Sequence, residues 1–283
     1  RELLLSRFAE VRIREDILEA IRRPKENLPW HEYRKLFLTD LQVQRGAEFW
    51  KKHAGALMRA EVEYGVPAEI IVAIIGVETR YGRSTGGYRA LDALTTLALR
   101  YPERSEFFRK ELIEYLLLTR ELNVDPLAIK GSYAGALGAP QFIPSSYRRY
   151  AVDFNNDSRR DLLGSMDDAI GSVANFLKQH GWQPDGPIVS EVRLQGALYG
   201  WLENNGLEPR INLRHLARYG IEPVGVDDTN QLATLISFEG ENGPLYHLGY
   251  MNFYAVTRYN RSKNYSMVVV ELARDIRQRY TNP

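Results

Sequence analysis

One glutamate, Glu78, stands at the end of the most apolar run in the chain, Ile70-Ile71-Val72-Ala73-Ile74-Ile75-Gly76-Val77, and is followed by Thr79-Arg80-Tyr81-Gly82. On a helix it shares a face with Ile71, Ile74 and Ile75. A carboxylate on such a face loses hydration, so it must be paired or hold its proton more tightly than usual. An acid still protonated near neutral pH can donate to a leaving oxygen. Spacing alone leaves two readings open: catalysis, or a structural glutamate that pairs with Arg80 or Arg83 or emerges at the helix end.

Three further segments carry chemistry. Gly131-Ser132-Tyr133-Ala134-Gly135-Ala136-Leu137-Gly138-Ala139-Pro140-Gln141 is made of small residues that let a ligand approach the backbone, and Ser132 and Gln141 can hydrogen-bond hydroxyl or amide groups. A tight helix crossing would use the same residues. Asp153-Phe154-Asn155-Asn156-Asp157-Ser158-Arg159 sets oxygen ligands at positions one, three and five of an EF-hand-type calcium loop, with a backbone carbonyl at seven. Ser158 stands where glycine is usual and Gly164 where a bidentate glutamate is expected, so Asp167 or Asp168 must close a longer loop. The alternative is an acidic loop of Asx-turns and arginine ion pairs. Tyr254, Tyr259-Asn260 and Asn264-Tyr265 offer aromatic faces beside amides, which suits sugar rings and equally a tyrosine-rich core edge.

These residues need a frame. The first 65 residues read as helical, broken at Pro24, Pro29 and Trp30, with one helix from about 43 to 64 that ends at Gly65. Pro67 opens a helix over 68–79. Helices follow over 90–100 and 105–122, then from Pro144 and over 169–180. Between 186 and 248, β-prone runs (188–194, 234–238, 245–248) alternate with turns around one small helix, 213–219. Helical sequence returns over 251–258 and 267–280.

Composition narrows the class. The 283 residues hold 44% hydrophobic side chains, a net charge of +1 and no cysteine. Disulfides, thiolate metal sites and cysteine nucleophiles are excluded, and the balanced charge argues against nucleic acid as partner. No run approaches the ~20 apolar residues of a membrane span. No signal peptide opens the chain at Arg1, as expected equally of a cytosolic protein and of one trimmed of its export signal or anchor.

Taken together, GVETRYG, SYAGALGAPQFIPSSY, the acidic loop and NFYAVTRYNRSKNY resemble, in that order, the membrane-bound lytic transglycosylase B family over nearly the entire chain. The resemblance implies a mainly α (α+β) fold. A helical domain, 1–65 completed by 266–283, would accompany a lysozyme-like core, 66–185 completed by 249–265, with a β-rich insertion at 186–248. It implies cleavage of the β-1,4 bond between N-acetylmuramic acid and N-acetylglucosamine of peptidoglycan, with 1,6-anhydromuramoyl ends and Glu78 as the single acid and base. Ser132, Gln141, Tyr259, Asn260 and Tyr265 would line the groove, Tyr33 would reach the sugars, and Phe107 and Phe176 would keep stacking surfaces where the family often has tyrosine. Asp153, Asn155, Asp157, the Arg159 carbonyl and Asp168 would hold one structural Ca²⁺ or Na⁺; no organic cofactor is implied. The implied setting is a periplasmic monomer acting on glycan strands beside wall-synthesis partners, either soluble or anchored at the outer membrane through a removed N-terminal segment.

Ordinary glycosidases use two carboxylates, and these motifs show no second one outside the acidic loop. One suffices if the muramoyl C6 hydroxyl attacks its own C1. A goose-type hydrolase using water, a non-catalytic murein-binding module and a calcium-sensing protein are the competing readings.

Overall fold

The computed structural model describes residues 2–22, 28–203, 205–225, 228 and 230–282; the break predicted at Pro24 lies outside them. The chain begins with α1 (Glu2–Ala9), α2 (Glu15–Ile21) and a single turn, α3 (Trp30–Tyr33). The helix predicted over about 43–64 is two helices, α4 (Asp40–Lys52) and α5 (Ala54–Tyr64). His53 leaves the helical conformation (φ −113°, ψ 24°) while its ring packs 4.6 Å from that of Phe49. Thr39 caps α4 by accepting from the Gln42 N–H. Gly65, at φ 69°, ends α5 in the left-handed region that glycine tolerates.

Next come α6 (Ala68–Thr79), a short strand β1 (Tyr88–Arg89), α7 (Ala90–Arg100) and α8 (Ser105–Glu121). Strand β2 (Lys130–Gly131), α9 (Pro144–Tyr150) and α10 (Met166–Gln179) follow. The β-prone stretch gives β3 (Val189–Leu194), β4 (Ile211–Asn212), β5 (Ile221–Pro223), β6 (Leu232–Gly240) and β7 (Gly243–Gly249). Residues 213–219 form a 3₁₀ helix. The chain closes with α11 (Met251–Tyr259) and α12 (Lys263–Thr281). Among the described residues no helix is long and apolar enough to cross a membrane.

The chain divides into two compact units. In the first, Arg1–Pro24 with Ile74–Val173, α7 packs on α8 and α8 on α9. The Arg12 and Arg14 backbone N–H groups donate to Asp92 and Thr96 of α7, each at 3.1 Å, which ties the N-terminal segment to that helix. Leu91, Leu94, Phe108, Tyr115 and Tyr147 are buried there.

In the second unit, Lys25–Ala73 with Ala174–Pro283, α4 packs against α12. Five antiparallel strands run in the order β4-β6-β7-β3-β5, the central hairpin closing at Gly240 opposite Gly243. Leu213, Leu216, Ile221, Leu235, Leu248 and Tyr250 give this sheet its own core.

Candidate active site

Glu78 lies in the last turn of α6, the helix predicted over the same residues. Ile71, Ile74 and Ile75 are fully buried, whereas Glu78 is half-buried. The acid therefore stands where the apolar face runs out, not deep within it. Three consecutive left-handed residues, Arg80 (φ 51°), Tyr81 (φ 63°) and Gly82 (φ 80°), stop the helix there. Such angles strain non-glycine residues and persist only where packing holds them. Here Tyr81 is buried, and its ring fits over Gly76, where a Cβ would lie 2.6 Å from the ring.

Thr79 pins the same turn. Its buried hydroxyl donates to the Ala139 carbonyl (2.8 Å), with the Ile75 carbonyl at 3.2 Å, and accepts from the Gly82 N–H (3.0 Å). The residue beside the acid is thus bonded to the Gly/Ala segment sixty positions on. Local periodicity does not reveal Thr79, Gly76 or Tyr81; only the three-dimensional contact does.

The Gly/Ala segment is a stack of tight turns. Gly131 pairs with Tyr88, and bridges join Gly131 to Leu137 and Leu137 to Phe142. Gly138 has φ 70°, and a Cβ there would sit 2.1 Å from the Leu162 carbonyl oxygen, so no other residue fits. Ser132 Oγ accepts from the Ala136 N–H (3.0 Å), which leaves the hydroxyl proton to donate. Gln141 Nε2 donates to the Thr85 (3.0 Å) and Gly138 (2.9 Å) carbonyls, so both amide hydrogens hold backbone and only its carbonyl oxygen remains for a ligand. Phe107 is half-buried, with the Arg104 guanidinium 4.3 Å from its ring centroid covering one face.

Other buried acids of this unit hold structure. Glu111 accepts from Ser145 N (2.9 Å) and Ser145 Oγ (2.6 Å) at the start of α9, and burial raises its carboxyl above the usual range. Asp92 is bidentate to Arg89. Glu111 was not found from the sequence because its partner is 34 residues away.

In the acidic loop, Asp153 and Asn155 oxygens converge on the Asp157 N–H, each at 3.0 Å, and Asp153 also accepts from Ser158 N (2.8 Å). Ser158 takes φ 69°, the conformation glycine supplies at this position. Asp157 accepts from Arg159 N (2.9 Å). Asp168 is fully buried and spends its carboxylate on the Phe154, Asn155 and Asp161 N–H groups, so it braces the loop from beneath. Among the described residues no three His, Cys, Asp or Glu side chains cluster as metal ligands. The front of the loop has the oxygen donors a hard cation takes, and Asp168 is engaged by backbone.

In the second unit, the Tyr259 ring lies near-parallel to that of Tyr265 (10°, 6.5 Å) and edge-on to that of Phe176 (4.9 Å), which stacks on His180 (4.1 Å). Tyr259 and Asn260 are half-buried, whereas Tyr265 (2% exposed) and Phe176 (5%) back them from the core. Tyr33, expected to reach the sugars, is 1% exposed against Phe37 and presents no face to a ligand.

Comparisons with known proteins bear on the family and the fold. The model of the transglycosylase SLT domain matches residues 1–274. The membrane-bound lytic murein transglycosylase B of Escherichia coli K12 is 45% identical over 88% of this chain and 68% of its own length. The crystal structure of the soluble lytic transglycosylase SltB1 from Pseudomonas aeruginosa superposes with a TM-score of 0.92 at 49% identity, covering 98% of this chain and 93% of that one. The Escherichia coli lytic transglycosylase Slt35, solved in complex with calcium, gives 0.90 at 41% identity, covering 99% and 88%. The chain belongs to the transglycosylase SLT domain family, and with it to the lytic transglycosylases, enzymes that cleave peptidoglycan. Its mainly α, lysozyme-like fold with a small β region is the one expected.

Proposed function

We propose that Glu78 carries out the whole proton chemistry of this reaction at the β-1,4 bond between N-acetylmuramic acid and N-acetylglucosamine. Its carboxyl gives a proton to the glycosidic oxygen as the C1–O bond breaks. The carboxylate left behind takes the proton of the C6 hydroxyl as that oxygen bonds to C1 of the same sugar. One proton leaves and one returns, so the enzyme ends as it began, and the product carries a 1,6-anhydromuramoyl end. Intramolecular attack replaces the second carboxylate of ordinary glycosidases, with an effective molarity of roughly 10⁵ M or more when the sugar is held correctly. The observation that carries this reading is the bond from Thr79 to Ala139, which fixes the Glu78 turn against the Gly/Ala segment.

Ser132, through its hydroxyl proton, and Gln141, through its carbonyl oxygen, are the polar groups offered to the substrate from that segment. Tyr259 and Asn260 offer an aromatic face and an amide, backed by Tyr265 and Phe176, and Phe107 offers a half-buried ring. Asp153, Asn155, Asp157, the Arg159 carbonyl and Asp168 fit a weakly held Ca²⁺ (or Na⁺) that stiffens the loop, Asp168 also bracing it through backbone N–H groups. We further infer the β-rich insertion predicted over 186–248 and a periplasmic setting, where murein lies; the N-terminal segment, bonded to α7, is not part of one helical domain with residues 25–65. Mass spectrometry of murein digested by the wild type and by Glu78→Gln tests the assignment.

A further inference from the structure

A cleft of about 500 Å³ opens within the second unit, between the end of α5, the start of α6 and the turn that leads into β3. Its walls are aromatic and apolar, with Tyr64, Trp182 and Ile188 among them. Trp182 is 6% exposed, and its Nε1–H donates to the Gly65 carbonyl (2.8 Å), which fixes the indole. Pro184 packs so closely on Gly65 that a Cβ there would lie 2.5 Å from the proline ring. The two sides are locked together at their base.

The charged lining of this cleft is mostly acidic, with Arg59 and Arg277 acting on it from beside. Glu61, Glu63 and Asp185 line it, against one ammonium, that of Lys178. Lys178 Nζ is bound to the Glu63 carbonyl (3.0 Å) and lies 5.6 Å from the Tyr64 ring centroid, so a cation already rests on this aromatic wall. Asp185 is held at φ 57° in a turn closed by Gly186 N to Gln183 O (3.1 Å). Burial raises the Glu61 carboxyl, and the charges of Glu69 and Asp185 raise it further, against the Ala68 N–H and Arg277, which lower it. The acids at this rim therefore repel one another. A neutral sugar would leave the excess charge in place and an anion would worsen it. A cation with an apolar stem relieves it, and aromatic walls suit both parts of such a ligand.

We propose that this cleft binds a primary ammonium at the end of an aliphatic chain, presented by the peptide attached to the glycan. The identity of that source rests on the peptidoglycan activity proposed above; the ammonium chemistry does not. The first probe is Nα-acetyl-lysine methylamide, compared with the same compound acetylated at Nε. Binding is read from the indole N–H resonance of Trp182, one of four tryptophans. The free amine shifts that signal saturably, and Nε-acetylation or the double variant Glu61→Gln/Asp185→Asn weakens binding about fivefold or more, less so at high salt. Asparagine tolerates the left-handed conformation at 185, so the variant keeps its turn. Equal shifts from both compounds, or no shift from either, overturn the proposal whatever the enzyme does to murein. The second arm compares murein with murein whose peptide amines are acetylated. KM rises about fivefold for the wild type, kcat stays unchanged, and the double variant makes no distinction. A KM unmoved by acetylation overturns the peptide as source. Absence of anhydro products on native murein overturns the activity and leaves the probe result standing.

Discussion

Replacing Thr79 by valine keeps the shape of the side chain and removes its hydroxyl. The site is 1% exposed, so water cannot take over the lost bonds. The Gly82 N–H loses its acceptor at 3.0 Å and the Ala139 carbonyl its donor at 2.8 Å. An unsatisfied buried group costs about 1–3 kcal/mol, so the two together cost about 2–6 kcal/mol of stability. The kinetic effect is larger in proportion, because these bonds set the angle at which the last turn of α6 presents Glu78. A displacement near 1 Å lowers turnover about 100-fold. The assay pairs urea unfolding with the rate of soluble fragment release from murein, at a temperature where the variant is fully folded. Thr79→Ser keeps the hydroxyl and loses one methyl group, so its turnover stays within about threefold of wild type and its stability falls by about 1 kcal/mol. A valine variant that is destabilised yet turns over at the wild-type rate would refute the positioning role of this residue.

Three further outcomes are expected. Gly138→Ala places a Cβ against the Leu162 carbonyl at a left-handed position and lowers stability by about 2 kcal/mol or more, read from the urea midpoint. The folded protein holds the Glu111 proton above the ordinary value of 4.5, so its contribution to stability is full below that pH and falls as pH rises through the raised value; Glu111→Gln flattens this segment of the stability–pH curve. An acidic loop with affinity of about 10⁻⁴–10⁻³ M gains about 1.4–2.7 kcal/mol from 10 mM calcium. Asp153→Ala abolishes that gain, whereas Asp168→Asn destabilises the protein with or without calcium, because three backbone N–H groups depend on its carboxylate.

Much of this frame is legible in the sequence where the cause is local. Gly65 and Pro67 lie just ahead of α6, and its start follows. Pro144 opens α9 for the same reason. Strands β3, β6 and β7 follow from β-prone runs between turn residues, whereas the short β4 and β5 fall outside those runs. What escapes the sequence is set at long range. The break falls at His53, whose ring packs on Phe49, and periodicity runs straight through it. Gln141 and Asp168 are polar residues in the right motifs, but their groups are largely spent on backbone of other segments, which composition does not show. Tyr33 is chemically suited to stacking and is buried. Glu78 itself was readable as a residue out of place on an apolar face; its half-buried position at the helix end comes from the left-handed run at 80–82, which no propensity rule gives to Arg and Tyr.

The decisive measurement is the mass of the fragments that wild type and Glu78→Gln release from the same purified murein. Intact wild type yields muramoyl ends one water lighter than a hydrolysed reducing end, and the folded glutamine variant yields neither form. Hydrolysed ends from the wild type, or anhydro ends still formed by the variant at a comparable rate, contradict a lone carboxylate that first gives a proton and then takes one back.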